Sequence, residues 1–279
     1  MSDLTDNTAK NQYYDHVTNL WGNIRGVDGA TRILPYSFAV ALGHISGHES
    51  FRGYGQRIAT STTTAGDDIW EGTATTCPIP TQPTGDLMTV VSTSAQDGVA
   101  GTGIVTLAIH YLDATGNPQS VVIVMNGITP VNTGVYMRFI QSIHAETVGT
   151  NKTAIGTILL YKTGDAATVF TVIVPGGNMH LNAARMVPLG KTFYMTSISV
   201  SGASNKSMSV KLRATSTFED VVTTGYFFLF KDVIFLQNST REKPFITPLK
   251  FPALTVVKAT AYSTISGGDV TFSYDGWIE

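Results

Sequence analysis

The sequence predicts an all-β protein, an antiparallel β-sandwich of jelly-roll type preceded by an extended N-terminal arm, on three observations. Only 14 % of the 279 residues are charged, against about 25 % in an average globular protein. Gly supplies 27 positions and Thr 39, residues that favour turns and strands respectively. Short runs rich in Val, Ile, Thr, Tyr and Phe recur between turn dipeptides, and no stretch holds a 3.6-residue period or a solenoid-length repeat.

Residues 1–66 are polar and then mixed, and Gly22, Gly26, Gly29, Gly43, Gly47, Gly53, Gly55 and Gly66 interrupt each candidate element. Only Tyr36–Leu42 reads as a short helix or strand. A segment that cannot bury a continuous face alone is expected to lie along another surface, as a docking arm. Residues 67–279 form the expected sandwich, divisible into sub-sheets over 67–217 and 218–279. Within it, Gly103–Leu112 leads through the turn Asp113–Asn117 into Gln119–Met125, and Asn126-Gly127 signals a type I′ hairpin. Phe170–Val174 and Ile158–Leu160 are apolar on both faces, as central strands are. Met208, Val210, Leu212 and Ala214 alternate with polar residues, as do Val270, Phe272 and Tyr274. Pro244, Pro248 and Pro252 predict an extended edge, because proline has no N–H for a ladder.

Eighteen Lys and Arg against 20 Asp and Glu give a net charge of −2, no electrostatic footprint for nucleic acid or an anionic bilayer. The richest apolar stretch, Tyr226–Leu236, is broken by Lys231 and Asp232, so no membrane span is expected. The polar N-terminus does not read as a secretory signal, so synthesis in a host cytoplasm is expected. The one cysteine, Cys77, excludes an intramolecular disulfide.

His44 and His48 stand four apart, but Gly43 and Gly47 break the helix that a zinc pair would need; no metal and no cofactor is expected. No G-x-S-x-G elbow marks a nucleophile, and Cys77 has no basic neighbour to lower its pKa. Asp67-Asp68 reads as a turn, since adjacent carboxylates do not flank one glycosidic bond. Gly101-Thr-Gly103 and Gly53-Tyr-Gly55 lack the rest of a phosphate-binding loop and also read as turns. Sugar binding through Trp21, Trp70 or Trp277 stays open, with Trp70 and Trp277 favoured as core or interface anchors.

Several of these segments carry a resemblance. Asp68-Ile-Trp70-Glu-Gly72, Met88-Thr-Val-Val-Ser-Thr-Ser-Ala-Gln-Asp97, Gly101-Thr-Gly103, Tyr111-Leu-Asp113 and Met125-Asn-Gly127 resemble, in this order, turn and strand motifs of virion structural proteins of tailed bacteriophages. Met186-Val-Pro-Leu-Gly-Lys-Thr-Phe193, Ser209–Arg213, Pro248-Leu-Lys-Phe-Pro252 and Phe272–Gly276 continue it, over about residues 67–279. The resemblance implies a non-enzymatic particle component, located in the virion, that decorates or cements a capsid or joins a tail. Its implied partners are the major capsid protein, portal or tail components, and copies of itself, most simply as a trimer. Tyr13, Tyr14, Trp21, Phe38, Phe51 and Tyr54 are the expected docking residues, because aromatic anchors bury much area per ordered residue. The alternative expectation is a glycan- or receptor-binding module of a tail fibre.

Overall fold

A computed structural model describes residues 12–15, 20–23, 36–202, 206–215, 228–265 and 267–279. The chain forms two units, Met1–Gly47 and His48–Glu279. In the first, β1 (Gln12–Asp15) pairs antiparallel with β2 (Leu20–Asn23), setting Tyr13 opposite Gly22 and Tyr14 opposite Trp21. The side chains of these three aromatic residues lie outside the described residues. The helix α1 (Tyr36–Ala41) stops at Gly43, whose φ of 70° only glycine adopts freely and whose amide donates back to the Val40 carbonyl.

The second unit runs through β3 (Glu49–Thr60), β4 (Asp67–Asp68), β5 (Asp86–Ser92), β6 (Ile104–Leu112), β7 (Pro118–Val124) and β8 (Val131–Met137). It continues with β9 (Phe139–Val148), β10 (Ile158–Lys162), β11 (Asp165–Ile173), β12 (Arg185–Met186), β13 (Phe193–Gly202) and β14 (Ser207–Thr215). It ends with β15 (Phe228–Gln237), β16 (Thr240–Phe251), β17 (Val256–Ser263) and β18 (Gly268–Ile278). The fold is all-β, and antiparallel sheets pack face to face. One sandwich sets the sheet β16-β13-β18-β3 against the sheet β12-β17-β14-β15, with β4 also on β17. Successive strands β12 to β18 cross between these two sheets at every step except the β14–β15 hairpin, which is jelly-roll order. Phe193, Phe272 and Tyr274 are fully buried between them, and each such side chain contributes about 1.5–3 kcal/mol of transfer free energy.

A second sandwich is inserted into this one. β4 and β12 lie end to end along the same edge of β17: Asp68 opposes Thr260, and Arg185 opposes Val257. The chain leaves that line after Trp70, builds β5–β11, and returns at Asn182, which bridges Trp70. The insert packs β11-β10-β5-β8 on β7-β6-β9 around Leu107, Ile109, Ile143 and Ile158, all fully buried. Leu112 and Phe139 of the insert meet Met186 and Val256 of the jelly roll in a third cluster.

Four segments differ from the sequence reading. Glu49–Thr60, assigned there to the arm, is a strand of the jelly roll, paired with β18 along its length. Its glycines are requirements of packing: a Cβ at Gly53 would strike the Tyr274 ring, and one at Gly55 would come within 2.5 Å of the Ala183 nitrogen and the Ile69 oxygen. Asp67-Asp68 is a short strand, not a turn. Asn126-Gly127 closes no hairpin, since β7 pairs β6 while β8 joins the other sheet; the Gly127 amide instead donates to the Asp97 carbonyl. β11 is an edge strand, yet Val172 is buried because Trp70 and Cys77 cover it. The division at residue 217 finds no counterpart in the sheets, because β14 before it and β15 after it are paired neighbours.

Candidate functional site

The outer face of the sheet β12-β17-β14-β15 gathers aromatic and cationic side chains in cross-strand rows. In β14, Met208, Val210, Leu212 and Ala214 enter the core, so Ser209, Lys211 and Arg213 face outward. The register places Phe235 and Tyr262 on either side of Ser209, Val233 and Thr260 beside Lys211, and Phe230 and Lys258 beside Arg213. A β-bulge between Leu212 and Arg213 leaves Lys231 without a ladder partner and returns Phe230 to the same face as Val233 and Phe235. The charged dipeptide in the middle of that apolar run is therefore where the strand changes phase.

The cations are held over rings. Lys211 Nζ lies 5.2 Å from the Phe230 centroid and 4.9 Å from that of Tyr262, and Lys258 Nζ lies 4.3 Å from that of Phe228. Lys211 also donates to the Thr64 carbonyl at 2.6 Å, and Arg213 to that of Ala65. Burial draws the Arg213 guanidinium below its usual pKa, and Asp68 opposes that shift.

β15 and β16 are edge strands of opposing sheets, and Lys243 joins Asp232 across them at 2.8 Å. Two residues beyond that pair on β15 stands Phe230, 60 % exposed, and three beyond it on β16 stands Ile246, fully exposed. Ile246 lies in a wide bulge, between the pairs Ser197–Pro244 and Met195–Leu249. The prolines of this edge behave as their missing N–H demands.

The residues singled out in the sequence are dispersed over the molecule. Phe38 lies on α1 and is 62 % exposed. Phe51 meets Phe193 edge-on at 4.8 Å within the jelly roll, and the Tyr54 hydroxyl contacts Met179 Sδ of the inserted segment at 2.9 Å, so both are used in internal packing. Trp70 is buried, its indole donating to the Ala74 carbonyl at 3.0 Å, and Trp277 stacks on Tyr194. His48 pairs with Glu279 at 2.7 Å. Among the described residues, no group of three or more His, Cys, Asp or Glu could hold a metal ion.

The candidate reactive groups have structural partners. Asp68 accepts from Lys258 and from the Cys77 amide, and Asp67 accepts from Ser61. Burial, and then the charge of Asp68, push the Cys77 thiol up to about 12. Asp97, fully buried, accepts from the Ser92 hydroxyl and from the amides of Ile104, Ile155 and Gly156. Gly101-Thr-Gly103 closes round this carboxylate: a Cβ at Gly101 would strike the Gln96 carbonyl, and one at Gly103 the Asp97 side chain.

The class defined by these observations is a jelly-roll protein with an inserted β-sandwich and an exposed aromatic and apolar edge. No protein-family model matches the chain, and no curated protein does. Among solved structures it is similar, at 11 % identity, to "The 2.6A structure of Infectious Bursal Virus Derived T=1 Particles". That match covers 83 % of this chain and 69 % of the other with a TM-score of 0.15, a likeness too low to carry an argument.

Proposed function

We propose that the chain is a structural protein of a bacteriophage virion, which binds capsid or tail partners through its N-terminal arm and stabilises or decorates the particle without catalysis. It acts as a homo-oligomer, a trimer in the simplest form, and its work is adhesion through buried contact area. The observation that carries this reading is the pair of edge strands β15 and β16, where Phe230 and Ile246 stand exposed two and three residues beyond the Asp232–Lys243 pair. Large apolar side chains clustered on an unpaired edge mark contact surfaces, and covering each would contribute about 1.5–3 kcal/mol. The engagement of Asp67, Asp68, Asp97 and Cys77 in structural bonds supports the same reading. So does the likeness of residues 67–279 to turn and strand motifs of such proteins.

Native mass spectrometry of the full chain tests the contact. The unmodified chain is expected as a trimer, and Phe230→Asp combined with Ile246→Asp as a monomer, since both side chains lie outside the core. A monomer at every concentration for the unmodified chain, or a trimer that persists in the double variant, overturns the proposal.

A further inference from the structure

We propose that the cleft at the end of the outer face nearest the β15–β16 turn binds one sugar ring bearing a carboxylate, a hexuronate or a similar acidic pyranose. The cleft has a volume of 490 Å³, within the range of small-ligand sites. Its walls are Phe235 and Tyr262 and its floor is Ser209, which opposes both in the ladders. Strands are spaced about 4.8 Å apart, so the two aromatic residues rise about 9.6 Å from each other, room for one ring in van der Waals contact with both.

The polar groups select what that ring carries. Ser209 is 3 % exposed and its hydroxyl has no hydrogen-bond partner, so the floor offers a dry donor or acceptor to whatever enters. Hydroxyls of Ser207, Ser239 and Thr264 stand on the rim, which suits a polyhydroxylated ring better than a plain aromatic one. Among the described residues the lining holds Arg241 and no carboxylate, and Lys211 lies against Tyr262 just beside it, so the local charge favours an anion. This site lies toward the β15–β16 turn, away from Phe230 and Ile246, and its failure would leave the assembly reading standing.

Saturation-transfer NMR with galacturonate, galactose and benzoate tests it. Galacturonate is expected to bind saturably, galactose about tenfold more weakly for want of the charge, and benzoate not measurably. Arg241→Gln should bring galacturonate down to the level of galactose, and Phe235→Ala, at a side chain 71 % exposed, should abolish both. No saturable galacturonate signal, benzoate binding equal to it, or binding unchanged in both variants overturns the proposal.

Discussion

The amide of Ala183 donates to the carbonyl of Ile69 at 3.0 Å, and Ile69 in turn donates to Ala259 at 3.0 Å. Residues on either side of the inserted sandwich thus continue one strand line along β17. The insert's two ends leave from a single point on the jelly roll, the arrangement under which one domain tolerates another within its chain.

Excision follows from that closure. Joining Trp70 to Asn182 through a short glycine linker should leave a jelly roll that still unfolds cooperatively. It should be less stable than the full chain, because Met186 and Val256 lose their cover from Leu112 and Phe139. Far-UV circular dichroism and a thermal melt read this out; a shortened chain with no strand signal would show that the two sandwiches fold only as one.

Asp97 holds the insert together. Asp97→Ala strands three backbone amides and a serine hydroxyl in a dry site, each costing about 1–3 kcal/mol when unpaired. A loss of at least ~3 kcal/mol is expected in urea unfolding. A loss below ~1 kcal/mol would mean that water replaces the carboxylate.

Gly53 is a contact point, not a hinge. Gly53→Ala forces a methyl into the Tyr274 ring and should cost ~1–3 kcal/mol through overpacking. Gly134→Ala serves as a comparison in which the added methyl meets open space and only the φ of 71° is strained. Equal chemical-denaturation midpoints for the Gly53 variant and the parent would contradict the packing described.

Cys77 should be silent toward thiol reagents in the native state. Its thiol is buried against the Phe170 carbonyl at 3.3 Å and held protonated by a pKa raised to about 12. The thiolate fraction stays negligible until the pH approaches that value. Labelling at pH 8 should follow global unfolding in urea, and rapid labelling without denaturant would show an open junction between the sandwiches.

Much of the fold was legible in the sequence, for identifiable reasons. Val270, Phe272 and Tyr274 alternate into the core and Pro244 and Pro248 sit on an edge, because strand period and proline chemistry act locally. The role of Gly53 was hidden, since nothing in the neighbouring sequence announces that Tyr274 will lie over it. The insertion was equally hidden: β4 and β12 are two residues each, and only their shared partner β17 makes them one line. The row Phe235–Ser209–Tyr262 joins three strands from separate parts of the chain. Its one local sign was Lys231-Asp232, a charged pair inside an apolar run, which marks the bulge.

The central claim is that the chain works as a contact-making part of a particle. Quantitative mass spectrometry of phage particles purified from a lysate that contains the chain tests this most directly. The chain is expected in the particle at a fixed copy number, a multiple of three per virion. Its absence from washed particles, or an amount that varies from one preparation to the next, would contradict the account.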